Sequence, residues 1–82
     1  MTPPRTLDQL SPGEEGQIEA LLCTGSMRRR LLDIGLTENT RVTCLHRAPG
    51  GDPSAYLIRG AVIAIRAIDG KDILLKETRV WD

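Results

Sequence analysis

Hydrophobic and polar residues alternate along much of this chain with the period of a β-strand, and one stretch changes to the period of a helix. From Gln17 to Cys23, Ile18, Ala20 and Leu22 point one way and Glu19, Leu21 and Cys23 the other. Leu21 beside Leu22 spoils the alternation, which fits either a bulge or burial on both faces. Met27, Leu31 and Ile34 then recur at i, i+4 and i+7, the apolar stripe of a short helix. Ser26 occupies the expected N-cap. Gly35, followed by Leu36, occupies the positions of a Schellman stop. Such a helix runs only about two to three turns and persists only if it docks on something.

Asn39 in Thr37-Glu38-Asn39-Thr40 is the residue expected to adopt αL. Arg41 to Arg47 reads as a second strand, with Val42, Cys44 and His46 on one face and Thr43, Leu45 and Arg47 on the other. Pro49, Gly50, Gly51 and Pro53 make the next stretch a loop stiffened by its prolines, with Asp52 capping the turn. Ala55 to Arg59 and Ala61 to Arg66 follow as strands, with Ala61, Ile63 and Ile65 the buried set. Gly60 alone is too short for a hairpin turn, so it is expected to mark a bend or bulge within one long strand. Asp69-Gly70 is expected to break the chain before a last strand carrying Ile73 and Leu75. Upstream, Leu7 and Leu10 pack as a short helical turn, and Ser11 to Gly16 reads as a tight turn. The whole predicts a mainly β chain: a small, strongly bent barrel of about five strands, with one or two short helices before or between the first strands.

The length of 82 residues fits one domain, 1–82, with a core over about 7–76 and loose terminal segments. Eleven basic residues balance eleven acidic ones, which argues against a nucleic-acid partner. Tyr56 and Trp81 are the whole aromatic complement, too little for a base-stacking platform. Two cysteines do not make a disulfide framework, and neither a signal peptide nor a membrane-spanning run is visible. A cytoplasmic chain that is not membrane-inserted is therefore expected. A single histidine and the lack of any paired catalytic motif favour a binding module over an enzyme.

Arg28, Arg29 and Arg30 crowd the first turn of the helix, where the macrodipole disfavours cations. They form either a solvated face or a docking surface for an acidic protein partner. Leu57, Val62 and Leu74 fall opposite the core-facing set; turned outward, they form an apolar patch with Trp81 as anchor. The alternative is that Trp81 folds back over the barrel end. Thr24-Gly25-Ser26 beside the arginines suits a phosphate, but no P-loop spacing is present. Cys23, Cys44 and His46 are the only soft-ligand candidates. Cys44 and His46 share a face at i, i+2, yet they lack metal-ligand spacing, and alternate positions also fill a core. No metal site and no cofactor are assigned. Exposed strand edges leave a route to a homodimer.

Taken in order, Leu7-x-x-Leu10-x-Pro12-Gly13-x-x-Gly16-x-Ile18, Arg30-Leu31-x-x-Ile34-Gly35-Leu36, Ala48-Pro49-x-Gly51-Asp52-Pro53-x-x-Tyr56, Arg59-Gly60-x-x-Ile63-Ala64-Ile65-Arg66, Ile73 and Leu75 resemble the FeoA family. The resemblance runs from about Leu7 to Leu75. Asn39 replaces a common glycine and Gly70 a common alanine. The resemblance implies an SH3-like barrel in which Gly16, Gly35, Asn39, Pro49, Gly51, Pro53 and Gly60 are structural. It implies an accessory protein of bacterial ferrous-iron uptake that binds the cytosolic GTPase region of a FeoB-type membrane transporter and modulates it. Alternatives are a metal-sensing SH3-like domain, for which ferrous iron is the ion to test, and a nucleic-acid-binding SH3-like barrel.

Overall fold

The alternating segments pair into one antiparallel sheet, and the helical stripe docks beside it. The computed structural model describes residues 4–76. Strands β1 (Glu15–Leu21), β2 (Arg41–Arg47), β3 (Ser54–Ile58), β4 (Ala61–Ile65) and β5 (Ile73–Leu75) lie in the order β4-β3-β2-β1-β5. A 3-10 turn, Leu7–Gln9, precedes β1; helix α1 (Gly25–Asp33) joins β1 to β2; the short helix α2 (Ala67–Gly70) joins β4 to β5. This is the mainly β architecture expected, with the early turn and α1 in their expected places and α2 as an additional short helix late in the chain.

The core collects Leu7 and Leu10 from the N-terminal turn, Ile18 from β1, and Leu31 and Leu36 from α1 and its exit. Val42, Cys44, Tyr56, Ile58, Ile65, Ile73 and Leu75 complete it from the sheet, with Cys23 at its margin. Burying a side chain the size of Leu31 is worth about 1.5–3 kcal/mol, and this holds so short a helix in place. Tyr56, buried among these residues, donates its hydroxyl proton to the Leu7 carbonyl at 3.3 Å, so its polar end is satisfied.

Two bulges decide which side chains face inward. In the β1–β5 ladder Ile18 pairs with Leu75 but Ala20 with Leu74, so Glu19 is an extra residue. The alternation slips by one there. Ile18 and Leu21 both face the core, and Leu22 is left exposed. The strand also starts and ends two residues earlier than the alternation suggested, because Glu15, Gly16 and Gln17 pair with Thr43, Val42 and Arg41. In the β2–β3 ladder Cys44 pairs with Tyr56 and His46 with Ala55, so Leu45 is extra. His46 is thereby turned to the outer face, and Arg47 to the inner side. There the Arg47 guanidinium donates to the Leu10 carbonyl at 2.9 Å and to Ser54 Oγ at 3.2 Å.

Four local expectations are corrected. β3 and β4 are not one bent strand, because Arg59 joins Gly60 in the turn. Both have positive φ, 49° and 83°, and Ile58 pairs with Ala61. Two central residues with φ > 0 make the hairpin turn whose twist matches the strands it connects. Ser26 is not the N-cap: the helix begins at Gly25, at φ 65°, and Thr24 precedes it without a side-chain cap bond. Asp69 and Gly70 do not break the chain but close α2, which packs on the N-terminal 3-10 turn. Asp52 caps that helix rather than its own loop, accepting the Ala67 N–H at 2.8 Å.

The end of α1 matches its sequence signature. Gly35, at φ 90°, donates to the Leu32 carbonyl at 2.9 Å, and Leu36 donates to the Leu31 carbonyl at 3.0 Å. These are the two bonds of a Schellman motif. Asn39 takes φ 72°, as its place in the turn requires. The exit is latched to the far hairpin. Arg59 Nε donates to the Gly35 carbonyl at 2.8 Å, and its terminal nitrogen lies 3.2 Å from Thr40 Oγ1.

Candidate functional site

Along α1, positions 27, 30, 31 and 34 share one face, and that face does not close completely on the sheet. Between it and β4 lies a cleft of about 340 Å³. Met27, Arg30, Leu31 and Ile34 form one wall; Ile63, Ala64, Ile65 and Arg66 form the other, with Pro53 and Asp69 at its margins. The floor is aliphatic. Arg30 and Arg66 stand among the lining residues as exposed cations, and Arg66 Nε lies 3.3 Å from Asp69 Oδ2. The cleft is thus apolar inside and basic around part of its rim.

The three consecutive arginines do different things, because a helix turns successive residues about 100° apart. Arg30 shares the cleft face. Arg28 turns back toward β1 and donates to the Leu21 carbonyl at 3.0 Å, which ties the helix start to the preceding strand. Arg29 is exposed and has no hydrogen-bond or ion-pair partner among the described residues. Thr24, Gly25 and Ser26 are likewise exposed.

The outward apolar residues are not gathered into one patch. Leu57 and Val62 face each other across the β3–β4 ladder, 39% and 62% exposed. Leu74 lies half-buried on β5, the opposite edge strand from β4, and pairs with Ala20. Trp81 lies outside the described residues.

The soft-ligand candidates are dispersed too. Cys23 and Cys44 are buried thiols within the core, and burial pushes the Cys44 thiol above its ordinary range, against the opposing pull of nearby Arg47. The bulge at Leu45 sends His46 to the other face of β2, so the shared face read from the i, i+2 spacing does not exist. Among the described residues no three His, Cys, Asp or Glu side chains converge as metal ligands. No helix there is long and apolar enough to cross a membrane.

Sequence reasoning missed the β4 side of this cleft. Arg66 ends an alternating stretch, and nothing local marks it as part of a site. What brings it opposite Arg30 is the position of β4 at the sheet edge, which the strand pattern alone does not encode.

Comparison with curated proteins gives no match. Solved structures do match. The solution structure of the FeoA protein from Chlorobium tepidum shares 26% identity over 90% of this chain and 70% of that one, at TM-score 0.83. The iron(II) transport protein A of Clostridium thermocellum shares 25% identity over 88% of this chain, which spans 44% of that one, at TM-score 0.82. The zinc-complexed FeoA of Stenotrophomonas maltophilia, described as a prokaryotic SH3 domain protein, shares 21% identity, covers 89% of this chain and 91% of that one at TM-score 0.79, and bears on the fold alone. The fold is therefore the SH3-like one that the family resemblance implied. The FeoA domain model matches residues 5–77, nearly all of the sequence, and the chain belongs to the FeoA family.

Proposed function

We propose that this chain acts as an accessory domain of ferrous-iron uptake, which docks through the α1–β4 cleft on the cytosolic GTPase region of a FeoB-type transporter and modulates it. Family membership supports the transport context. Docking is supported by one observation: an open aliphatic cleft flanked by Arg30 and Arg66 on a domain whose overall charge is balanced. Apolar surface of this kind, rimmed by polar groups, suits a protein partner, and the arginines select an acidic one. The role is non-catalytic, and ferrous iron is the cargo of the transporter rather than a resident group of this domain.

Titration calorimetry of the full chain against the cytosolic region of the cognate transporter, with and without guanine nucleotide and at two salt concentrations, tests this. Saturable binding that weakens with salt is expected. Lack of binding in every nucleotide state would overturn the proposal.

A further inference from the structure

The cleft touches Ile63, Ala64 and Ile65, three consecutive residues of β4. Consecutive strand residues face opposite sides of a sheet, so one cavity reaches all three only along the strand's open edge. β4 is an edge strand of the sheet. The ladder fixes which backbone groups that edge presents. The Arg59-Gly60 turn makes Ile58 and Ala61 a hydrogen-bonded pair. By alternation Tyr56–Ile63 and Ser54–Ile65 are hydrogen-bonded too, while Leu57–Val62 and Ala55–Ala64 are not. The N–H and C=O groups of Val62 and Ala64 therefore point away from β3, and they have no backbone partner on that side among the described residues. A row of free strand groups thus runs beside an aliphatic wall contributed by α1. Two arginines line this space against one carboxylate, Asp69, which already lies beside Arg66.

We infer that what docks here is an extended acidic segment of the protein partner, which adds as a further strand along β4. Backbone bonds to Val62 and Ala64 set its register. Its alternate apolar side chains enter the cleft against Met27 and Ile34, and a carboxylate meets Arg30 on the rim. Main-chain pairing supplies affinity, and the pockets for alternate side chains supply selectivity. This rests on the docking reading above and adds the mode of binding to it. An amphipathic helix laid in the same cleft would need none of the strand's free N–H groups.

That difference makes the two separable. Ala64→Pro removes an N–H that faces the cleft and leaves the β3–β4 ladder bonds intact, a position where an edge strand tolerates proline. Ala64→Val retains the N–H. With the cytosolic region of the cognate transporter as probe, Ala64→Pro is expected to bind about tenfold more weakly, the effect of deleting one backbone hydrogen bond and leaving its acceptor unpaired. Ala64→Val, which keeps that donor, is expected to bind more tightly than Ala64→Pro. Amide hydrogen exchange at Val62 and Ala64 in the parent should slow in the complex, and this readout decides the matter if the proline variant fails to fold. Parent-like binding by a folded Ala64→Pro chain, or unchanged exchange at both amides, would overturn strand addition while leaving docking intact. A parent that does not bind at all would overturn both.

Discussion

Replacing Gly35 with alanine should break the latch between the α1 exit and the β3–β4 hairpin. Gly35 holds φ 90°, and a Cβ added there would lie 2.5 Å from Arg59 Cδ and 2.7 Å from Arg59 Nε. An L-residue in the left-handed region costs about 1–2 kcal/mol. The Arg59 side chain is flexible and would swing away rather than force the backbone apart. In doing so it would lose its 2.8 Å bond to the Gly35 carbonyl and the contact to Thr40 Oγ1. For a solvent-exposed arginine these add about 1 kcal/mol. The expected loss is about 2–3 kcal/mol, or about 10–20 °C in Tm for a domain of this size. Urea titration followed by circular dichroism measures it. A double-mutant cycle with Arg59→Ala separates the two parts, because the latch term vanishes once Arg59 is gone and only the φ strain remains. Gly35→Ala within about 0.5 kcal/mol of the parent, the usual range for an inconsequential surface change, would refute the reasoning. So would strict additivity with Arg59→Ala, since it would show that the close approach carries no energy.

Other predictions follow from the core and the rim. Leu31→Ala should cost about 2–5 kcal/mol by urea titration, since Leu31 is the buried anchor of α1. Burial raises the pKa of both the Cys44 thiol and the Tyr56 phenol, so the fold favours their protonated forms. Their stabilising contribution is complete below the ordinary ionisation ranges of the two groups and is lost as pH rises through the folded-state values. A melting temperature that declines in the alkaline range, with a shallower decline in Tyr56→Phe, is expected. Native Cys44 should react slowly with iodoacetamide at neutral pH and rapidly in denaturant, which mass spectrometry reads directly. Arg30→Glu should leave Tm nearly unchanged yet weaken transporter binding in calorimetry, whereas a matching Tm loss would make Arg30 structural.

Local periodicity made β2, the α1 stripe, the Schellman stop and the αL turn at Asn39 legible, because each depends on neighbouring residues. The errors lie where a long-range partner decides. Leu21 beside Leu22 signalled an irregularity in β1 without placing it, and nothing local marks Leu45; the pairings of Ile18 with Leu75 and of Cys44 with Tyr56 place the two bulges. The bulge at Leu45 removed the shared face of Cys44 and His46. Arg59 was read as the end of a strand because a non-glycine residue at positive φ is uncommon, and hydrogen bonds from its side chain to Gly35 and Thr40 accompany that conformation here. The arginine run was visible as an anomaly of charge, and helical phase alone separates Arg30 from Arg28 and Arg29. The opposite wall of the cleft was not visible, because Ala64 and Arg66 matter only through the edge position of β4.

Chemical-shift mapping on the 15N-labelled chain, titrated with the cytosolic region of the cognate transporter, tests most directly whether the α1–β4 cleft is the docking site. The account predicts that the amides of Met27, Arg30, Ala64 and Arg66 shift first and saturate together, while those of Thr43 and Leu45 on β2 stay in place. Shifts centred on Leu57 and Val62 with the cleft unchanged, or no shifts in any nucleotide state, would contradict it.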